Sequence, residues 1–302
     1  MALHLRAGES FSGGARRVIR GEIDKTLRGL SRSHSNQRNA VHDARKCFKK
    51  MRAILRLVRN ELGARAYHRE NACVRDAARP LTELRDATVL LDSLNELVDH
   101  SAPRISVKTI RRIHKTLCAH RAAVQKQARE GVGILGNVRA TLKSARSRIR
   151  RLDVHARPWS AALGGLKRVY RQGRRACGAA IANPTTENLH EWRKQAKYLW
   201  YQLRLLEVIR PKAMKALARR VHELTQRLGD DHDLAMLRQE LVTERDTLDD
   251  SDAMDSLFKA IDSRRDQLQR RAIGLGKRIY RRKPSALKRQ IKRYCTNMTR
   301  GH

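Results

Sequence analysis

An all-α fold is predicted by three features of this 302-residue chain. Apolar residues recur at steps of three and four, no stretch keeps up a period-2 alternation, and glycine or proline stands where helical patterns stop. The length suffices for one large or two medium domains. Lysine and arginine outnumber aspartate and glutamate 67 to 30, a net charge of +37 and a pI near 11.3. A field of that strength concentrates anionic ligands and bears on partners rather than fold. The partner classes it leaves are nucleic acid, an anionic membrane surface and a mineral-like polyanion.

Taken in order, helices are expected at about 12–32, 38–61, 65–79 (stopping at Pro80), 84–99, 104–129 and 138–151. The GVGILGN segment at 131–137 reads as the most flexible stretch, and its position suggests a division into halves, 1–150 and 151–302. The second half repeats the plan with helices at about 159–182, then one ending before Pro211, 212–228 (stopping at Gly229), 231–247, 252–282 and 285–299. Asn183-Pro184 has the form of an N-cap followed by proline at the first helical position. Asp230 and Asp231 are suited to the N-terminus of the helix that follows them.

The organising stretch is VHDARKCFKKMRAILRLV, from Val41, and its echo is LHEWRKQAKYLWYQLRLL, from Leu189. At an offset of 148 His42 falls on His190, Asp43 on Glu191, Arg45 on Arg193, Lys46 on Lys194, Lys49 on Lys197 and Arg56 on Arg204. In the first copy Val41, Ala44, Phe48, Met51, Leu55, Val58 and Leu62 form an apolar seam. About 100° round the helix runs a basic stripe of His42, Arg45, Lys49, Arg52, Arg56 and Arg59. The second copy has the seam Leu189, Trp192, Ala196, Leu199, Leu203 and Leu206. Beside it run His190, Arg193, Lys197 and Arg204, with Trp200 as the one exception. A charged helix stripe is ordinarily a solvated face, but such faces interleave both signs because like charges at i,i+4 repel. These stripes carry no acid and recur at matched register, which points to an external polyanion.

A second echo, at an offset of 147, sets RPLTELRDATVLLDSL against RLGDDHDLAMLRQEL. It pairs Leu81 with Leu228, Arg85 with His232, Asp86 with Asp233 and Arg75 with His222. Two matched segments in the same order imply internal duplication. The acids are gathered on the fourth helix of each half, and a molecule that separates acidic from basic helices focuses its field into a groove.

Two HxxRK helices, each followed by an RD or HD motif at a helix junction, resemble the CHAD domain, the conserved-histidine α-helical domain. The resemblance covers about residues 10–295. It implies two four-helix bundles related by a pseudo-two-fold axis, with extra long helices, around a basic cavity that binds inorganic polyphosphate. It also implies association with polyphosphate granules. The ligand-facing residues it implies are His42, Arg45, Lys46, Lys49, Lys50, Arg52 and Arg56, with His190, Arg193, Lys194, Lys197 and Arg204; Arg75, Arg85, His222 and His232 form a second tier. The sequence departs from the pattern at Tyr198 and Trp200, which replace Lys50 and Arg52 of the first copy.

The residue chemistry suits that ligand. Arginine offers a planar fork to two phosphate oxygens and lysine a compact charge, and the 5.4 Å helical pitch sets successive cations along a line. Catalysis and cofactors find little support. Gly131 and Gly136 have P-loop spacing, but Asn137 and Val138 follow, and the ExExK motif of the CYTH tripolyphosphatases is missing. Asp230, Asp231, His232 and Asp233 offer donors for a divalent ion, with helix capping the simpler reading. A nucleic-acid binder is the main alternative, although aromatics make up only 4% of the chain and single-strand readers use stacking platforms. No apolar run reaches the length of a membrane span. MALHLRAGESF lacks the apolar core of a signal peptide, and five scattered cysteines without CxxC support neither disulfides nor a zinc knuckle. The expectation is a soluble cytoplasmic protein with reduced thiols.

Overall fold

The computed structural model of the chain describes residues 3–6, 8–31, 37–101, 106–130, 133–150, 159–243 and 251–300. Among them are eleven α-helices, two single-turn 3-10 segments and no strand, so the fold is all-α. The helices are α1 (Phe11–Leu30), α2 (Gln37–Leu57), α3 (Arg59–Ala78), α4 (Leu81–Ser101), α5 (Val107–Glu130) and α6 (Ile134–Arg150). They continue as α7 (Ala162–Ala182), α8 (Thr186–Leu205), α9 (Pro211–Thr243), α10 (Ser251–Ile279) and α11 (Pro284–Arg300). Residues 131–132 and 151–158, next to the expected boundary between halves, and most of the acidic turn before α10 lie outside the described residues.

Three expectations about helix ends need correction. The helices expected at 212–228 and 231–247 are one continuous helix, α9. A glycine inside a helix costs about 1 kcal/mol relative to alanine but keeps its N–H. Pro80, near the same point of the first half, removes a donor and separates α3 from α4. Asp230 and Asp231 therefore lie in mid-helix and cap nothing. At the start of α8 the cap is Thr185, whose Oγ1 accepts from the Asn188 N–H at 3.2 Å. Asn183 is extended (φ −145°, ψ 97°), as the following proline requires. Within α3 the helix is broken by a kink at Gly63 (φ 74°), in the left-handed region that a Cβ disfavours.

The apolar side chains form two clusters. One gathers α1, α2, α3 and α6 together with α7, α8, the first part of α9, the end of α10 and α11. The other unites α4 and α5 with the second part of α9 and the first part of α10. Each cluster draws on residues before and after position 150. Packing partners recur in order: α1 lies on α2 as α7 lies on α8, α6 on α1 as α11 on α7, and α5 on α4 as α10 on α9.

The seams of α2 and α8 sit at the centre of the larger cluster. Val41, Ala44, Phe48, Met51, Leu55 and Val58 are buried, as is the whole seam of α8, while Leu62 is only half-buried. Each helix also buries a second row that the sequence pattern did not single out: Ala53, Ile54 and Leu57 on α2, and Tyr198, Tyr201, Gln202 and Leu205 on α8. This second row brings the two helices together directly. The buried Gln202 Nε2 donates to the Ala53 carbonyl at 3.0 Å. Helix α7 closes on the end of α2 at Gly165, where a Cβ would fall 2.1 Å from the Leu57 carbonyl oxygen.

Because that obstacle is backbone, Gly165→Ala should destabilise the fold by about 1–3 kcal/mol. Gly178 on the same helix has nothing within 4 Å of its Cβ position, so Gly178→Ala should stabilise by up to about 1 kcal/mol. Urea unfolding of the two variants checks the pair. Equal effects would show that α7 and α2 do not meet at Gly165.

Candidate functional site

Packing the apolar rows of α2 and α8 together fixes where their basic stripes fall. Arg45, Lys46 and Lys49 from α2 come within electrostatic reach of His190, Arg193 and Lys197 from α8 and of His232 from α9. The two histidine rings lie 4.7 Å apart between centroids. Lys49 is exposed to solvent, yet protein atoms crowd it on most sides.

The helices' own sequences hold no acid in these stripes, but neighbouring helices supply some. Asp86 of α4 stands 3.7 Å from Arg45, and Asp233 of α9 stands 3.8 Å from Arg193. The two ion pairs occupy matched positions in the two echoes, and both are long. Arg45 also donates to the Leu81 carbonyl at 3.0 Å, and Lys194 pairs with Glu191 on its own helix. Lys49 and Lys197 have no ion pair among the described residues.

The protonation chemistry records this crowding. Burial, reinforced by Arg193, Arg45 and Lys197, pushes the Lys49 ammonium down to about 7. Burial and Arg193 bring Lys197 to about 8. His190 is lowered by burial and then by Arg193 and Lys194, and His232 falls to about 3 for the same kind of reason. The Nδ1 of His232 is buried and meets no hydrogen-bond partner among the described residues. Asp230 moves the other way, raised by burial and then by Glu96 and Asp233. His190 and His232 are thus neutral near pH 7, and Lys49 and Lys197 are poised to take up protons when an anion arrives.

The remaining sequence-derived residues are dispersed around the molecule. His42 lies half-buried on α2 one turn before Arg45. Arg52 and Arg56 turn toward α3 and α8: both donate to Asn71 Oδ1, at 3.4 and 2.8 Å, and the Arg56 guanidinium stacks 4.1 Å over the Tyr198 ring. Lys50 points to the other side of α2, its ammonium 3.0 and 3.2 Å from the carboxylate oxygens of Glu22 on α1. Arg75 is exposed and forks its neighbour Asp76. His222 and Arg204 lie further along, around Trp200, with centroid separations of 4.2 and 5.8 Å. The Arg85 side chain lies outside the described residues.

Sequence reasoning gave no role to Glu22, Asn71, Tyr198 or Arg265. Glu22 alone left a signal, an acid within the apolar row Val18, Ile19, Ile23 of α1. Two of the three carboxylates considered for a divalent ion are otherwise engaged. Asp231 is buried against Arg265 Nε (3.1 Å) and Gln269 Nε2 (2.8 Å), while Asp233 faces Arg193. Among the described residues no three His, Cys, Asp or Glu side chains are grouped to hold a metal ion.

Fold and site together define an all-helical protein whose two central helices gather cations in excess of the carboxylates among them. The chain belongs to the CHAD domain family: the family model matches residues 17–242, from within α1 to the last turn of α9. No curated protein matches it. Among the described residues no helix is long and apolar enough to cross a membrane.

The depressed Lys49 pKa makes a prediction about stability. An unfolded lysine titrates near 10.4, so between about 7 and 10 the unfolded state binds more protons and stability rises with pH. The penalty is fully present below about 7 and fades as pH climbs toward the unfolded value. Lys49→Met should therefore be more stable than the parent at pH 6.5 and low salt, with the margin closing by pH 10. Urea midpoints across that range check it, and a margin independent of pH would reject the titration as its source.

Proposed function

We propose that the chain binds inorganic polyphosphate in the basic concavity between α2 and α8, and that this binding places it on polyphosphate granules in the cytoplasm. The observation that carries the reading is the lysine pair Lys49 and Lys197, held among arginines with no ion pair of their own. Like charges so placed destabilise the unliganded protein, and a polyanion relieves them. Membership of the CHAD family supports the choice of polyanion. The matched pairs Arg45–Asp86 and Arg193–Asp233, with the recurring packing order, support a site built by internal duplication, to which each copy contributes. The reading is one of binding without hydrolysis, supported by the ion pairs that hold Asp86, Asp231 and Asp233 against arginines.

Charged hydrogen bonds contribute about 1.5–3 kcal/mol each. Lys49→Ala and Lys197→Ala should therefore each weaken binding of long-chain polyphosphate at least about tenfold. Neither change breaks an ion pair, so both variants should remain folded by circular dichroism. The log-log salt slope should flatten by about one for each lost contact, by analogy with nucleic-acid phosphates. Lys288 and Lys292, exposed on α11 beyond the family match, serve as the control pair, and their joint replacement should change affinity far less. Equal losses at site and control would reduce the interaction to net charge. Tighter binding of DNA than of polyphosphate at the same salt would favour the nucleic-acid alternative.

A further inference from the structure

The basic row of α8 does not end in the concavity. Arg193, Lys197, Trp200 and Arg204 follow one another on one face at steps of four, three and four. From Arg193 to Arg204 the helix axis advances about 16 Å. Lys197 is the joint: it feels Arg193 and Lys46 on one side, while its Nζ lies 5.2 Å from the Trp200 ring centroid on the other. At Trp200, where the row lacks a cation, α9 brings His222 edge-on to the indole at 4.2 Å.

Beyond Trp200 opens a cleft of about 830 Å³. Its walls include Arg6, Arg204, Lys215, Arg219 and His222, with Glu207 as the one carboxylate among its lining residues. Arg204, Lys215 and Arg219 are exposed and form no ion pair among the described residues. One wall is the segment of residues 3–6, pinned in place by the buried Leu3 and Leu5 and by the Leu5 N–H, which donates to the Leu205 carbonyl at 3.3 Å.

We infer that this cleft is the second segment of one polyphosphate track, reached only by chains long enough to run from Lys49 past Trp200 to Arg204, Lys215 and Arg219. The inference rests on the polyphosphate reading above and adds to it a basis for chain-length preference. Short chains are held between α2 and α8 alone, whereas long ones gain the contacts of the cleft.

The test compares tripolyphosphate with long-chain polyphosphate on the full chain, by calorimetry at fixed salt. The double variant Lys215→Ala/Arg219→Ala should lose at least about tenfold affinity for the long chain, with its salt slope flatter by about two. Its tripolyphosphate affinity should stay within about twofold of the parent. Lys49→Ala/Lys197→Ala should lose affinity for both. An unchanged long-chain affinity in the cleft variant, or an equal loss for both ligands, would overturn the track while leaving the binding reading intact. A parent protein that binds neither ligand would overturn the binding reading and the track together.

Discussion

One geometric constraint governs the molecule: on α2 and on α8 the basic stripe lies about 100° from the apolar seam. Once both helices bury their seams in the same core and meet through their second rows, their cations have no freedom to separate. The hydrophobic contribution drives this, since fully burying a single leucine or phenylalanine contributes about 1.5–3 kcal/mol and each helix buries many such residues. Repulsion between lysines in partial contact with water is much smaller than that sum. The core therefore wins, and the charge density between the helices is a consequence of packing.

Buried carboxylates decide which cations remain for that purpose. Glu22 holds Lys50 between α1 and α2. Glu70, fully buried, is forked by Arg148 at 2.8 and 3.0 Å and so joins α3 to α6. Asp231 holds Arg265 between α9 and α10. Stripping one partner from such a pair leaves an uncompensated buried charge, at a cost of about 3–5 kcal/mol. These cations are thereby committed to the fold. Arg45 and Arg193 are intermediate, each facing an aspartate at long range while contributing to the cluster. Lys49 and Lys197 have no ion pair among the described residues, so their charge has no internal partner there.

The sequence makes this arrangement legible to the extent that it is periodic. The seams, the stripes and the Arg45/Arg193 and Asp86/Asp233 correspondences all follow from spacing and repetition, and the fold class follows with them. Spacing does not reveal partners from other helices, so Lys50 reads as a stripe neighbour although Glu22, 28 residues away, claims it. Tyr198 reads as a gap in the second copy, yet it lies across the interface beneath Arg56 of the first. Gly229 reads as a stop because glycine often is one, but α9 runs through it since only a proline removes the hydrogen bond. The cleft beside Trp200 draws on an N-terminal segment, a 3-10 turn and two helices, a combination with no sequence period at all.

The central claim is that the crowded lysines between α2 and α8 are where the polyanion binds, and proton uptake tests it most directly. Calorimetric titration with polyphosphate at pH 8, in buffers of different ionisation enthalpy, counts the protons taken up. With Lys49 at about 7 and Lys197 at about 8 before binding, and both fully charged against phosphate, the account predicts about one or more protons per chain. Lys49→Met/Lys197→Met should abolish that uptake. Binding that takes up no protons at pH 8 would place the polyanion on ordinary surface cations and contradict the account.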